Sequence, residues 1–177
     1  DLVLRELDKD PNMMPFPNMH GYAPLWWTAE DYCAGNAGAA NGLDIRMYAD
    51  KASGKVGIPA VGCRTVSAIR FGNKAGISVF PGGANGVHGG AIQAAMDEVT
   101  ALCMRVWGSP NSTTRKITHQ ISRPVYIFQT YKAVCEVESI KNDGALFAIK
   151  GRLLDPLGEV VCISTSDMVD LGRMAAL

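Results

Sequence analysis

The stretch that decides the fold is Val87-His88-Gly89-Gly90-Ala91-Ile92-Gln93-Ala94-Ala95-Met96-Asp97-Glu98. A histidine and two glycines open a run in which Ile92, Ala95, Met96, Val99, Cys103 and Val106 recur at helical spacing. Gly108-Ser109-Pro110 stops that run. Taken at 100° per residue, the stripe away from these apolar residues carries Asp97, with Gly90, Gln93, Ala94, Ala101 and Met104 beside it. The charged edge lies elsewhere, at Glu98 and Arg105, and reads as solvated. A helix apolar on nearly every side is a buried helix. Asp97 is therefore expected to be a carboxylate among small apolar neighbours, costly unless it is paired (Arg115 is one such base) or chemically employed.

The other end of the helix has its own chemistry. The first N–H groups of a helix have no partner within it, and the helix dipole makes them electropositive. Gly89 and Gly90 let another group approach that backbone closely, so the donors suit an oxyanion developing on an attacked carbonyl. Eight residues separate Gly89 from Asp97, roughly 12 Å along the axis. One carbonyl carbon cannot be served by both ends of that span. Two copies of the helix packed antiparallel would bring Gly89 of one chain to Asp97 of the other, which predicts a dimer with two shared sites.

Outward from the helix, residues 43–80 read as strands, with Leu43–Ala49 and Val66–Phe71 the best formed and Ala75–Phe80 a third. Residues 81–87 form a glycine-rich loop. After the helix come four runs rich in Val, Ile, Thr and aromatics: Thr114–Ser122, Tyr131–Ile140, Ala145–Leu154 and Glu159–Met168. The turns Asn142-Asp143-Gly144 and Asp155-Pro156-Leu157-Gly158 are strong hairpin signals, so the four are expected to form an antiparallel meander. Upstream, residues 1–27 hold Pro11, Pro15, Pro17 and Pro24 with Met13, Met14 and Trp26–Trp27, which predicts an irregular arm packed on the domain. Thr28 with Asp31 is a capping pattern for a short helix that Gly35 to Gly42 would end. The expected architecture is α+β, one long helix against an antiparallel sheet, with an arm over 1–42 and the domain over 43–177.

Composition bounds the function. The 177 residues carry 17 Lys+Arg and 17 Asp+Glu, a formal net charge of zero. That argues against a general nucleic-acid binder and against a polybasic membrane patch. No apolar run is long enough to span a membrane. The five cysteines, at 33, 63, 103, 135 and 162, are odd in number with no Cys-x-x-Cys pair, so neither a disulfide framework nor a zinc site is indicated, and a reducing compartment is expected. A chain that opens on Asp1 is expected to be trimmed or processed.

The quoted stretch resembles the signature of hotdog-fold acyl-CoA thioesterases of the phenylacetyl-CoA thioesterase type, which show His-Gly-Gly followed by an acid nine positions after the His. Ile121-Ser122-Arg123-Pro124-Val125 is similar to the family's strand after the helix, and the Asp155–Gly158 turn with Val161 to its later turn. The resemblance covers about residues 64–170. It implies a sheet wrapped around the central helix and subunits paired through a continuous sheet, as a homodimer or a tetramer of such dimers. It implies hydrolysis of an acyl-CoA with no metal or other cofactor. In that reading the N–H groups around Gly89 and Gly90 polarise the thioester carbonyl. Asp97 from the other subunit is general base or nucleophile. Thr114, ten positions before Pro124, orients the water, with Thr113 one register step away, and His88 positions the loop. Many relatives carry Asn or Gln six positions before the His. Gly82 stands there in this chain, so Asn85 is the candidate for that contact. Arg115 and Arg123, and also Lys116 and Lys132, are candidates for the CoA phosphates, and basic residues are expected to gather at the site mouth with acids displaced. His119, five positions from Thr114 on one strand, should point to the opposite face and read as structural. An intracellular setting, cytoplasmic or mitochondrial, fits. The alternatives are a non-catalytic acyl-CoA-binding hotdog protein and a dehydratase or hydratase on the same fold. The latter is disfavoured because Val79 stands where its His would be.

Overall fold

The computed structural model describes residues 1–15, 42–77 and 85–174. The expectations placed on Trp26–Trp27, on the short helix from Thr28, on Cys33 and on Gly82 lie outside these residues. Strands β1 (Met13–Pro15), β2 (Leu43–Asp50), β3 (Arg64–Phe71), β6 (Ser112–Ile121), β7 (Thr130–Lys141), β8 (Leu146–Leu154) and β9 (Val160–Asp170) form one antiparallel sheet in the order β1-β2-β3-β7-β8-β9-β6. A small ribbon joins β4 (Gly76–Ile77) to β5 (Gly86–Val87) ahead of the long helix α2 (Gly89–Trp107).

The sheet wraps α2 because its strands alternate. In β7, Tyr131, Ala133, Cys135 and Val137 are buried, with half-buried residues between them. They meet Phe147, Ile149 and Leu153 of β8 and Val99, Cys103 and Met96 of α2 in one core. Gly151 lets the helix lie close, since a Cβ there would stand 2.8 Å from Met96 Cε and 3.2 Å from Thr100 Cγ2. Four described cysteines, Cys63, Cys103, Cys135 and Cys162, are free and buried. Burial pushes the Cys103 thiol up to about 12, as expected of a core residue.

Three expectations need correction. The four strands after the helix are not a meander in sequence order: β7, β8 and β9 are, but β6 pairs with β9 at the sheet edge. The eight residues between Ile121 and Thr130 include Arg123-Pro124, too long a link for a tight hairpin, and they carry the chain across to β3, where β7 pairs. The N-terminal segment is not irregular throughout. Leu2–Lys9 is a helix, α1, capped by Asp1 and followed by β1 on the edge of β2. All the prolines of the arm lie at or beyond position 11, so Leu4 and Leu7 can face one side together. Leu7 is buried with Tyr48, Val66 and Ala68 on the sheet face opposite α2, and the Tyr48 hydroxyl donates to Asp8 at 2.7 Å. Finally, the third early strand does not join this sheet: its described part, Gly76–Ile77, pairs with β5 in the separate ribbon.

Candidate functional site

Helix α2 opens at His88, whose Nδ1 accepts the Gly90 N–H at 3.0 Å. The His88 carbonyl accepts from Ala91 at 2.9 Å and from Ile92 at 3.2 Å. Of the first turn's donors, the Gly89 N–H alone makes no hydrogen bond among the described residues. The Gly90 N–H is thus taken up by the His88 ring. A Cβ on Gly90 would stand 3.1 Å from His88 Nδ1, so the missing side chain makes room for the capping imidazole. A Cβ on Gly89 would meet Ile121 Cδ1 at 3.8 Å, an ordinary contact. His88 and Asn85 are exposed. The Asn85 carbonyl accepts from Ile127 N–H at 3.2 Å.

At the helix middle, Asp97 is half-buried and one of its oxygens, Oδ1, accepts the Thr114 hydroxyl at 2.8 Å. Thr114 stands on β6 with its side chain turned to α2, and its hydroxyl also lies 3.4 Å from Met168 Sδ. Arg115 does not pair with Asp97: it reaches Asp167 at 3.4 Å on the outer face. The next turn of the helix is also polar, since the buried Thr100 hydroxyl donates to the Asp97 carbonyl at 2.9 Å and lies 2.9 Å from Ser166 Oγ.

Glu98 departs from expectation. It is half-buried rather than solvated, and burial raises its carboxyl above the usual range, with Arg105 opposing and Asp97 adding to the rise. The sheet covers so much of the helix surface that even its charged edge loses water.

His119 departs further. It shares the inward face with Thr114, because β6 carries a bulge between Thr114 and Lys116. Arg115 and Lys116 are both exposed, and the inward positions run Thr114, Ile117, His119. His119 Nδ1 lies 2.8 Å from Ser164 Oγ, and burial lowers its pKa while the Asp97 carboxylate raises it. The signal in the sequence was the adjacent pair Arg115-Lys116, since strict alternation would turn one of the two charges into the core.

The remaining candidates lie apart. Thr113 is exposed on the other face of β6. Arg123 reaches Glu159 at 3.2 Å, Lys132 reaches Glu6 at 3.5 Å on the far side of the sheet, and Lys116 is exposed. Arg115, Arg123 and Lys132 thus each have an acid beside them. A cavity of about 370 Å³ lined by Leu7, Arg64, Lys132 and Val134 lies under α1, on the sheet face opposite Asp97. Among the described residues no group of three or more His, Cys, Asp or Glu is placed to hold a metal, and no helix is long and apolar enough to cross a membrane.

No protein-family model matches the sequence, and no curated protein matches it. Solved structures do. One, described as a thioesterase superfamily protein, is 17% identical at a TM-score of 0.54; the match covers 72% of this chain and 54% of that one, so this chain spans about half its length. The PaaI protein of E. coli, from the phenylacetic acid degradation operon, is 14% identical at a TM-score of 0.51 over 81% of this chain and 86% of that one. A hypothetical thioesterase protein of Streptococcus pneumoniae, solved with coenzyme A, is 14% identical at a TM-score of 0.50 over 66% of this chain and 87% of that one. At these identities the likeness is one of fold. The antiparallel sheet wrapped on one long central helix is the hotdog fold, and this chain has it.

Proposed function

We propose that this protein hydrolyses an acyl-CoA thioester to the free acid and CoA. The observation that carries the proposal is the Asp97–Thr114 pair: a half-buried carboxylate with one oxygen held by a hydroxyl, eight residues along the helix from a backbone N–H that has no partner among the described residues. The second Asp97 oxygen makes no hydrogen bond among those residues and is free to work on water or on carbon. The pneumococcal protein of like fold solved with coenzyme A supports CoA as the thiol carrier.

In the reaction the thioester carbonyl oxygen sits at the Gly89 N–H, which stabilises the charge developing on it. Asp97 of a second copy takes a proton from water as the new C–O bond forms, or attacks the carbonyl itself. The C–S bond then breaks, and CoA leaves as thiolate, which needs little help from a general acid because a thiol is far more acidic than an alcohol. Asp97 and Gly89 of one chain are too far apart to meet at one carbon, so the working unit is a dimer. Support comes from β6: it lies at the end of the sheet with one side unpaired among the described residues, ten residues long and without proline.

The test is thiol release from a panel of acyl-CoAs of different chain length. Asp97→Asn should lower kcat by about two orders of magnitude or more, as loss of a catalytic base does, and the dimer should persist. Hydrolysis by that variant near the wild-type rate sinks the mechanism. Saturable acyl-CoA binding with no thiol released would make the protein a binding module instead.

A further inference from the structure

Asp97 is held at two points. Its carboxylate accepts the Thr114 hydroxyl on β6. Its backbone carbonyl accepts the Thr100 hydroxyl at 2.9 Å, and the Thr100 oxygen lies 2.9 Å from Ser166 Oγ on β9. The Thr100 proton goes to the carbonyl, so Ser166 is the donor in the second bond. Thr100 and Ser166 are both fully buried. Strands β6 and β9 are paired, with Thr114 opposite Met168 and Ile117 opposite Ser166, so one stretch of ladder reaches both the side chain and the peptide of Asp97. The Thr100 methyl is fitted against β8. A Cβ at Gly151 would stand 3.2 Å from it, so the glycine leaves room for the rotamer that sends the hydroxyl to β9.

A buried hydroxyl pair is a poor source of stability. Both hydroxyls give up water on burial, and replacing the two partners by apolar groups of the same shape is nearly neutral. What the hydrogen bonds add over an apolar contact is direction. A threonine that bonds back to a carbonyl of the preceding turn tilts that carbonyl and bends the helix. Here the carbonyl is that of Asp97 itself. We propose that Thr100 and Ser166 are positioning residues of the hydrolytic site: together they fix the tilt of the Asp97 peptide, and with it the aim of the carboxylate at Thr114. Neither residue touches the reacting atoms. Asp97 does the chemistry, and the hydroxyl pair sets where it stands. The effect on rate rests on the thioesterase reading given above; the effect on geometry does not.

Two measurements test this. Thr100→Val combined with Ser166→Ala removes both hydroxyls together, whereas Thr100→Ser keeps the hydroxyl and gives up the methyl. In the double variant kcat should fall by about 5- to 10-fold, the effect of one lost hydrogen bond, with KM within roughly twofold of wild type and Tm within a few degrees. Thr100→Ser should keep kcat near wild type although the methyl lost beside Gly151 lowers its Tm. A pair that served packing alone would leave kcat of the double variant unchanged. The second measurement is the crystal structure of the double variant. The Asp97 Oδ1–Thr114 Oγ1 separation, 2.8 Å in this structure, should open beyond about 3.5 Å, outside hydrogen-bond range. A wild-type kcat or an unchanged separation overturns the proposal. Should the double variant not fold, Ser166→Ala alone frees Thr100 from β9 without altering the helix; a several-fold fall in kcat and a longer separation are expected there, and no change in either overturns the proposal. If the wild type releases no thiol from any acyl-CoA, the thioesterase reading fails, and the Asp97–Thr114 separation by itself decides whether the hydroxyl pair positions Asp97.

Discussion

At Asp97 a single hydroxyl sets the geometry of the carboxylate. A hydrogen bond to a charged group contributes about 1.5–3 kcal/mol, and each 1.4 kcal/mol is a factor of about ten in rate. Thr114→Val should therefore slow thioester hydrolysis by about 10- to 100-fold with the circular dichroism spectrum unchanged; a rate within twofold of wild type would remove Thr114 from the mechanism. Gly90 makes a separate prediction. A methyl there would press on His88 Nδ1, 3.1 Å from the Cβ position, and displace the cap. Lost caps cost about 0.5–2 kcal/mol, so Gly90→Ala should lower Tm by a few degrees. At this scale much was legible: the spacing of His88, Gly89 and Asp97 is a property of one helix, and a helix preserves it. The tie between the His88 ring and Gly90 N–H was not, because it depends on a side-chain rotamer.

The elements show where local pattern prevails and where it yields. Helix α2 starts within one residue of its expected position and ends at Gly108, as the periodicity and the stop predict. Strands β7 to β9 follow their hairpin signals: Asp155 Oδ1 accepts from Leu157 and Glu159 N–H at 2.9 Å each, and Gly158 takes the positive φ that the turn requires. The bulge in β6 is different. It satisfies Arg115 and Lys116 together by exposing both, and in doing so it exchanges the face of every residue beyond it, His119 included. At Gly151 the helix lies so close to the sheet that a Cβ would stand 2.8 Å from Met96 Cε. Gly151→Val would push two methyls toward Met96 and Thr100, and overpacking of this kind costs about 1–3 kcal/mol. Its Tm should fall by several degrees, and wild-type stability would show that α2 can move away from the sheet.

For the whole molecule, the edge of β6, unpaired among the described residues, is the main asset and the main hazard, since an uncovered edge strand invites pairing. If it pairs with its symmetry mate, sedimentation equilibrium should give twice the 18.9 kDa chain mass. Thr118 is exposed near the middle of that strand. Thr118→Lys would set like charges against each other across the edge and should yield a monomer without thioesterase activity. A fully active monomer would show that Gly89 and Asp97 do not need two copies. Helix α1 closes the other side of the sheet through Leu7 and Tyr48. Four prolines concentrated beyond position 10 hid it in the sequence, because their composition colours a segment whose first nine residues are free of them.

The sequence by itself determined the long helix, the two hairpin turns at Asn142–Gly144 and Asp155–Gly158 and the spacing between Gly89 and Asp97, because these depend on periodicity and turn chemistry within a few residues of each other. Only the tertiary structure decided that β6 crosses to pair with β9, that Thr114 rather than Arg115 meets Asp97, that Glu98 is shielded and that His119 faces the groove. Each of these depends on which surfaces are brought together, and strand order and a one-residue bulge settle that through contacts between residues far apart along the chain.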